Sequence, residues 1–415
     1  MHTINVKGVN ELSGEIVVSG AKNSIVALIP AAILCDEDVN IYNVPNLSDV
    51  DSLVEILEYL NVSVESKEDY MKIVPTNMTN KPIDNEFSKK LRASYYFMGA
   101  LLGKYGHVEI SFPGGCVIGA RPIDLHLKGF KALGAKITED GDKMVIEADN
   151  LVGTNIYLDF ASVGATINLM LAAVKAKGKT VIENAAKEPE IVNVATFLNN
   201  MGARISGAGT NKIKIEGVEY LNSCFHEVIP DRIEAGTFVI MGAALGNNLK
   251  VSNLIPEHIS SLIEKLREMN IPLEIGPDYI IVSKPEKYNP IDIQTLIYPG
   301  FPTDLQQPLA SLMVLANGTS SIEETIWENR FQNLYELSKM GARIKVEGKR
   351  AYIYGPTKLR GTIVMATDLR AGAALIIAGL IASGETEIQN ADYILRGYEK
   401  IVEKLSNIGA KIELI

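Results

Sequence analysis

The chain has 415 residues, of which 47% are hydrophobic, and a formal net charge of -10 at pH 7. This length and composition predict a globular protein of two or three domains. The acidic balance and the lack of Lys/Arg-rich runs argue against binding to nucleic acid or to an anionic membrane surface, because both need clustered positive charge. No apolar stretch approaches the roughly 20 residues of a membrane span, so we expect a cytoplasmic protein.

Cysteine and histidine usage argues against metal sites and disulfides. The three cysteines, Cys35, Cys116 and Cys224, are an odd number without metal-ligand spacing. The five histidines are scattered along the chain, so we expect neither a metal nor another cofactor. Cys35 ends an apolar helix and Cys224 lies in a linker, which predicts that both thiols are unreactive.

Two kinds of predicted helix alternate along the chain, with short β-branched runs between them. Six helices are apolar nearly all round, which is typical of burial on every side, and they span 23–34, 91–104, 163–175, 233–245, 305–316 and 369–381. Six others are amphipathic and span 48–60, 121–133, 188–201, 256–269, 327–340 and 393–408. The clearest predicted strands are 39–44, 179–183, 250–253, 320–324 and 385–389.

Each amphipathic helix ends in the same kind of stop, a glycine or asparagine followed by a short strand. The stops are Asn61, Gly134, Gly202, Asn270, Gly341 and Gly409, spaced roughly 70 residues apart, and a fixed period indicates a repeat. The predicted fold is therefore α/β, with six βαβαββ repeats, buried helices inside and sheets outside. Three such units can close around a common core, so six predict two similar domains.

The repeat also predicts the domain boundaries. Residues 22–229 would form an N-terminal domain of three repeats, and residues 1–21 and 230–415 a C-terminal domain of three. Residues 5–18 have no other partner, so we expect them to form a hairpin that completes the C-terminal domain. The alternative is a single doubly wound sheet, but residues 19–24 lack the glycine spacing of a nucleotide-binding loop.

One loop stands out as chemically reactive. Gly114 and Gly115 let the backbone bend beyond an apolar strand, which predicts that Cys116 is presented on a loop. Arg121 and Pro122 then begin a helix, where a cation is unfavourable unless an anion binds beside it. The alternative is a surface loop with an incidental cysteine and a solvated arginine.

Many other polar residues fall where predicted helices begin. They include Lys22, Asn23, Arg92, Ser162, Asp304, Arg330, Arg370 and Arg396. If the buried helices of each domain run parallel, these groups converge, and two domains facing each other would enclose a cationic cleft as the active site. Solvated ion pairs could explain any one cation, but a substrate with several phosphates or carboxylates explains them all. Asp304 is either a plain helix cap or a base for a substrate hydroxyl.

Ten short motifs, in order, resemble the UDP-N-acetylglucosamine enolpyruvyl transferase family. They lie at 19–23, 92–94, 113–121, 162–166, 188–192, 230–234, 301–304, 328–331, 366–370 and 396–399. The resemblance implies a two-domain inside-out α/β barrel that transfers enolpyruvyl from phosphoenolpyruvate to the sugar 3-hydroxyl and releases phosphate, without a metal. This reaction begins peptidoglycan synthesis. No obligatory protein partner is expected, and the alternatives are transfer to shikimate 3-phosphate and a nucleotide-sugar-binding relative without turnover.

The same resemblance assigns residue roles. Cys116 would donate a proton and could add covalently to phosphoenolpyruvate, while Asp304 would act as the base on the sugar hydroxyl; from the charge and size of fosfomycin, a phosphonate epoxide, we also expect it to react with this thiol. Lys22, Arg121 and Arg396, joined by Arg370, would hold phosphate and carboxylate. The expected substrate-binding residues are Lys22, Asn23, Arg92, Arg121, Pro122, Ile123, Asp124, Leu125, Phe160, Ala161, Ser162, Val163, Asp304, Ile326, Arg330, Arg370 and Arg396.

The chain departs from the family pattern around Arg396, at position 193 and near residues 160–161, where a basic residue or proline is common in the family. Tyr393 and Leu395 stand where a histidine and an aspartate are expected around Arg396, and Asn193 replaces a common aspartate. These departures put the setting of Arg396 in question more than they do the reaction.

Overall fold

A computed structural model describes residues 2–84, 87, 92–111, 123–141 and 143–415, with the backbone alone at 92, 93 and 140. Cys116, Arg121 and Pro122 lie outside the described residues. The α-helices span Lys22–Ala32, Ser48–Tyr59, Tyr96–Tyr105, Asp124–Ala132, Val163–Ala173, Pro189–Asn200, Arg232–Leu245, Ser260–Glu268, Thr303–Met313, Gln332–Lys339, Leu369–Ile381, Asp392–Leu395 and Ile401–Asn407. Short 3₁₀ helices cover Arg92–Tyr95 and Pro256–Ile259.

The strands of the described ranges form six sheets of similar topology. In five of them a parallel edge strand is followed by three strands in antiparallel pairing, and the sixth has three antiparallel strands. In spatial order the sheets are Asn155–Tyr157, Lys179–Glu183, Lys212–Glu216 and Arg204–Ser206; Cys224–Glu227, Val39–Tyr42, Tyr70–Val74 and Ser63–Lys67; Glu15–Val17, Leu249–Ser252, Tyr279–Val282 and Leu273–Ile275; Asp292–Gln294, Thr319–Glu323, Arg350–Tyr354 and Arg343–Glu347; Ile363–Met365, Glu385–Gln389, Ile4–Lys7 and Lys411–Leu414; and His107–Ser111, Lys143–Glu147 and Lys136–Asp140. The predicted α/β class is confirmed.

The predicted helix stops are confirmed by the backbone. All six have a positive φ, which glycine and asparagine adopt most easily, at Asn61, Gly134, Gly202, Asn270, Gly341 and Gly409. The left-handed residue turns the chain away from the helix axis, so a strand can begin within a few residues.

The two kinds of helix bury their side chains as their sequences predict. Every residue from Arg370 to Leu380 is buried, so this helix is surrounded by protein. The helix Ser260–Glu268 instead buries Leu262, Ile263 and Leu266, which share one face. Each fully buried leucine or isoleucine contributes about 1.5–3 kcal/mol, so these contacts dominate the core.

The described chain separates into two compact units, each with its own hydrophobic core. One contains residues 2–19 and 230–415, and the other contains the described residues of 20–229. The opening segment does not form the hairpin we expected. Ile4–Lys7 pairs with two C-terminal strands, whereas Glu15–Val17 pairs with Leu249–Ser252, because each strand fills a place in a different sheet.

Two predicted amphipathic helices are shorter than the sequence pattern indicates. The one expected at 327–340 begins at Gln332, and before it the backbone N–H groups of Ile326 and Trp327 bond to the side chain of Glu324. The one expected at 393–408 is interrupted after Leu395, and Lys400 has a left-handed backbone. Within the described ranges, no helix has the length and apolar character needed to cross a membrane.

Candidate active site

Asp304 lies between two buried arginines at the start of the helix Thr303–Met313. One carboxylate oxygen is 2.8 Å from Nη2 of Arg330, and the other accepts a hydrogen bond of 3.3 Å from Nε of Arg370. The side chains of both arginines are 3% exposed, whereas that of Asp304 is 29% exposed. Asp304 is therefore not a plain helix cap, since its carboxylate is held by two cations and keeps an accessible face.

The arginines retain donors beyond these pairs. Nε of Arg330 and Nη1 of Arg370 are buried and have no hydrogen-bond partner among the described residues. A buried N–H without a partner is costly, so such groups often mark a place where a ligand or water binds. The cluster thus combines an accessible carboxylate with unused cationic donors, which suits an anionic substrate that also carries a hydroxyl.

A second carboxylate, Glu324, is connected to this cluster by hydrogen bonds. Its Oε2 accepts a hydrogen bond of 2.9 Å from the hydroxyl of Thr303, which in turn accepts 2.9 Å from Nη1 of Arg330. Its Oε1 accepts from the backbone N–H of Ile326 at 2.8 Å and of Trp327 at 3.0 Å. The sequence analysis missed Glu324 and Thr303, although both lie within four residues of predicted site positions.

Arg370 is also held by an aromatic ring. Its guanidinium lies 5.3 Å from the ring centroid of Tyr398, which is 1% exposed, and the Tyr398 hydroxyl is 2.9 Å from Oγ1 of Thr237. Burial raises the pKa of Tyr398, so the phenol stays neutral beneath the cation. The ring of Tyr398 therefore holds the arginine that bonds to the second carboxylate oxygen of Asp304.

Arg396 lies two residues before Tyr398, at the end of the short helix Asp392–Leu395, and is half-buried. The departures Tyr393 and Leu395 belong to the same helix, and both pack partly buried against the hydrophobic core. Each of these two side chains therefore has a face in contact with the core.

A separate polar network, which we call the Glu234 cluster, contains Ser19, Glu234, Glu399 and Lys404. Nζ of Lys404 lies 2.7 Å from Glu234 and 2.6 Å from the Ser19 hydroxyl, which donates to Glu399. The Ser19 backbone N–H donates 2.8 Å to Glu234. Burial raises the pKa of Glu234 to about 7, although the charge of Lys404 opposes this.

In the other unit, Lys22 forms an ion pair at the first turn of its helix. Its Nζ is 2.7 Å from Oδ2 of Asp49, whose side chain is 5% exposed against 15% for that of Lys22. Asn23 is half-buried beside it. A buried carboxylate thus fixes the direction of the lysine side chain.

The predicted sugar contacts at 123–125 and at 160–163 lie near each other, because His126 lies beside Gly164. Ile123 and Leu125 are half-buried before this buried residue, and a side chain at Gly164 would meet the His126 ring at 3.3 Å. Asn168 accepts from the Gly99 backbone N–H, so its amide group donates to Nδ1 of His126 at 3.0 Å. The proton of a neutral His126 therefore sits on Nε2, on the side of Gly164.

The remaining predicted contacts of this segment differ in exposure. Phe160 is 50% exposed, Ala161 is buried, and Val163 is half-buried at the helix start. The Ser162 hydroxyl caps this helix by accepting from the Ala165 backbone N–H at 3.3 Å. Asp124 is exposed, and the Arg92 side chain lies outside the described part of the structure.

The cysteines that the structure describes are buried free thiols. Burial raises the pKa of Cys35 above its usual value and that of Cys224 to about 12, so neither forms a thiolate near neutral pH. Asn193 is also buried, with its amide 3.0 Å from Nε2 of His226, whose pKa burial lowers to about 4. An aspartate at 193 would add a charge there. No group of His, Cys, Asp and Glu side chains in the described ranges could hold a metal ion.

Comparison with known proteins identifies the family. The model of EPSP synthase (3-phosphoshikimate 1-carboxyvinyltransferase) matches residues 6–405. The chain belongs to this family. Two relatives, from Listeria monocytogenes serovar 1/2a (strain EGD-e) and Geobacillus kaustophilus, are 55% and 54% identical over 98% and 99% of this chain and 96% of their own length. Both are named UDP-N-acetylglucosamine 1-carboxyvinyltransferase 2, so the resemblance inferred from the motifs is confirmed.

Solved structures of the family have the same fold. The enolpyruvyl transferase NikO from Streptomyces tendae superposes with a TM-score of 0.91 at 26% identity, covering 100% of this chain and 99% of its own. EPSP synthase from Acinetobacter baumannii gives a TM-score of 0.78 at 17% identity over the whole of both chains, which shows a shared fold.

Proposed function

We propose that this protein transfers the enolpyruvyl group of phosphoenolpyruvate to the 3-hydroxyl of UDP-N-acetylglucosamine and releases phosphate. The observation that carries the proposal is the 55% identity, over 98% of the chain, to a protein named for this reaction. The product would enter peptidoglycan synthesis, and through it cell-wall growth, cell shape and division. Phosphoenolpyruvate and the nucleotide sugar are the proposed partners, with no nucleic acid, membrane or obligatory protein partner.

The Asp304 cluster supports this chemistry. In the proposed reaction the sugar oxygen bonds to the carbon of phosphoenolpyruvate that carries the phosphate, and its proton passes to Asp304. Cys116 delivers a proton to the neighbouring carbon. The bond to phosphate then breaks, and the neighbouring carbon gives up a proton, which restores the vinyl group. Atoms and charges balance without an oxidant or reductant.

Cations would hold the charged groups during these steps. We assign phosphoenolpyruvate binding to Lys22, Arg121, Arg370 and Arg396, because phosphate and carboxylate are the natural partners of lysine and arginine. The nucleotide sugar is assigned to the other substrate-binding residues predicted from the sequence. These are Asn23, Arg92, Pro122, Ile123, Asp124, Leu125, Phe160, Ala161, Ser162, Val163, Asp304, Ile326 and Arg330.

The finer architecture belongs to the same proposal. We interpret the sheets and buried helices as six βαβαββ repeats arranged in two inside-out barrels, with domains of residues 22–229 and of residues 1–21 with 230–415. We also propose that the protein works in the cytoplasm, where both substrates would be available. Fractionation of cells that produce the protein tests the location.

Phosphate release with each acceptor tests the function. We expect turnover with UDP-N-acetylglucosamine and phosphoenolpyruvate, and none when shikimate 3-phosphate replaces the nucleotide sugar. Turnover with shikimate 3-phosphate alone would contradict the proposal. Binding of the nucleotide sugar without phosphate release would identify a non-catalytic relative.

Cys116 provides a second, independent test of the proposal. A small phosphonate epoxide such as fosfomycin resembles phosphoenolpyruvate in charge and should alkylate this thiol when held beside it. Cys116→Asp should keep turnover but resist the epoxide, because it supplies an acid without a soft nucleophile, whereas Cys116→Ser should lose most turnover. Intact-mass spectra give the readout, and buried Cys35 and Cys224 serve as internal controls.

A further inference from the structure

In three sheets the same hydrogen bond joins the parallel edge strand to the strand that pairs with it. The residue after that inner strand is an asparagine with a positive φ. Its side-chain amide donates to the carbonyl of the residue that follows the edge strand. The donors are Asn43, Asn184 and Asn253, and the acceptors are Val228, Leu158 and Val18, at 2.8, 2.8 and 2.6 Å. This bond locks the two parallel strands together at their carboxyl ends.

Glu324 occupies the equivalent position in the sheet beside Asp304. It follows the strand Thr319–Glu323, and the residue that follows the edge strand Asp292–Gln294 is Thr295. Oε1 of Glu324 accepts 2.8 Å from the Thr295 hydroxyl, so the link between parallel strands is kept in a different chemical form. The longer, charged side chain offers two acceptor oxygens, whereas an asparagine offers one acceptor oxygen and an NH₂ donor.

These acceptors are directed at the candidate site. Glu324 is 1% exposed, and four groups donate to it: two hydroxyls and the backbone N–H groups of Ile326 and Trp327. Through the Thr303 hydroxyl it reaches Arg330, which holds Asp304. One carboxylate therefore connects the loop at Ile326 with the arginine that orients the candidate base.

We propose that Glu324 and Thr303 are positioning residues that hold Ile326, Arg330 and Asp304 in the arrangement that receives the acceptor sugar. The inference rests on the proposed function. Neither residue needs to touch the substrate, since each acts through hydrogen bonds to residues that do. The departure from the repeated asparagine thus marks the sheet that serves the site.

Glu324→Asn is the decisive variant, because it restores the residue that the fold uses at this position elsewhere. We expect normal folding but a kcat at least about tenfold lower, since small displacements of a reacting group are that costly. The KM for UDP-N-acetylglucosamine should rise at least about threefold while that for phosphoenolpyruvate stays within about twofold, because the loop at Ile326 is released. A simple loss of folded protein would change neither KM.

Thr303 gives a matched pair on the same path. Thr303→Val removes the hydroxyl between Glu324 and Arg330 and should reproduce the kcat loss, whereas Thr303→Ser keeps the hydroxyl and should retain nearly full activity. Thr386→Val is the control, because Thr386 is buried in the same unit but its hydroxyl has no partner among the described residues. Thermal unfolding shows whether each variant folds; if Thr303→Val does not, Glu324→Gln replaces it.

The outcomes separate this inference from the proposed function. Glu324→Asn with both constants within about twofold of wild type would overturn the positioning role, as would equal losses in Thr303→Val and Thr303→Ser. If the wild type used shikimate 3-phosphate instead, the proposed function would fail. The same variants assayed with that acceptor would still decide the positioning role.

Discussion

The Asp304 and Glu234 clusters belong to the same unit and use similar residues, but they differ in how fully their polar groups are paired. Asp304 keeps an accessible face, and its arginines keep two N–H groups that have no partner among the described residues. In the Glu234 cluster, Lys404 donates to Glu234 and to the Ser19 hydroxyl. That hydroxyl in turn donates to Glu399. N–H donors without a partner beside a partly exposed acid suit binding and catalysis. A cluster whose polar groups bond to one another suits a structural role.

Asp304→Asn tests the catalytic side of this contrast and should have the largest effect. The amide keeps the size of the side chain but cannot take the sugar proton, so kcat should fall by about 10²–10⁴. Phosphate release at saturating substrate measures it. Asp292→Asn, at an exposed position in the same unit, is the control and should keep wild-type kcat. A similar loss in both variants would remove Asp304 from the chemistry.

Lys404→Met tests the structural side. Methionine keeps the length of the side chain but leaves buried Glu234 without its cation, which should lower the free energy of unfolding by about 4 kcal/mol. Denaturant unfolding gives the value, and kcat of the folded protein should be little changed. Lys265→Met removes the exposed pair with Glu268 and should cost less than about 1 kcal/mol. Equal costs would mean that burial does not distinguish the pairs.

Stability of the Glu234 cluster should also depend on pH. The pKa of Glu234 is raised from 4.5 to about 7 by burial, so the folded protein holds a proton that the unfolded chain releases. This contribution is fully present below pH 4.5 and is lost as pH rises through 7, by about 3 kcal/mol at most. Unfolding of wild type and Glu234→Gln across this range isolates it. A difference between them that does not change with pH would contradict the assignment.

Ser162→Ala should have the smallest effect. Its hydroxyl caps the helix Val163–Ala173, and loss of such a cap costs about 1 kcal/mol. Because this hydroxyl already bonds to the Ala165 backbone N–H, kcat should stay within about twofold of wild type. Ser162→Asn should restore the stability, and a large loss of kcat in Ser162→Ala would show that the hydroxyl itself binds substrate.

The sequence predicts the inner helices well because their apolar character does not depend on neighbours. The inner helix Leu369–Ile381 has the expected bounds. The strands Lys179–Glu183 and Glu385–Gln389 have them too. The errors occur in segments whose hydrogen bonds do not follow an apolar period. The segment before Gln332 is one example, because Ile326 and Trp327 donate their backbone N–H groups to Glu324 there, and apolar spacing contains no sign of this turn.

The site was predicted in part for the same reason. Charge and helix position indicated Asp304, Arg330 and Arg370, which the structure brings together. Glu324 was read as the last residue of a strand, and only comparison with Asn43, Asn184 and Asn253 reveals it as an exception. An alignment of the repeats within the chain would therefore have been the signal to use.

The pairing of Ile4–Lys7 with Lys411–Leu414 has a consequence for biosynthesis. During synthesis this strand is made about 400 residues before Lys411–Leu414, a delay of roughly 20–80 s at usual synthesis rates. The unit formed by residues 20–229 can meanwhile fold from contiguous chain. Until Glu385–Gln389 and Lys411–Leu414 are made, Ile4–Lys7 has two unpaired edges, so this strand should depend on chaperones more than the unit of residues 20–229 does.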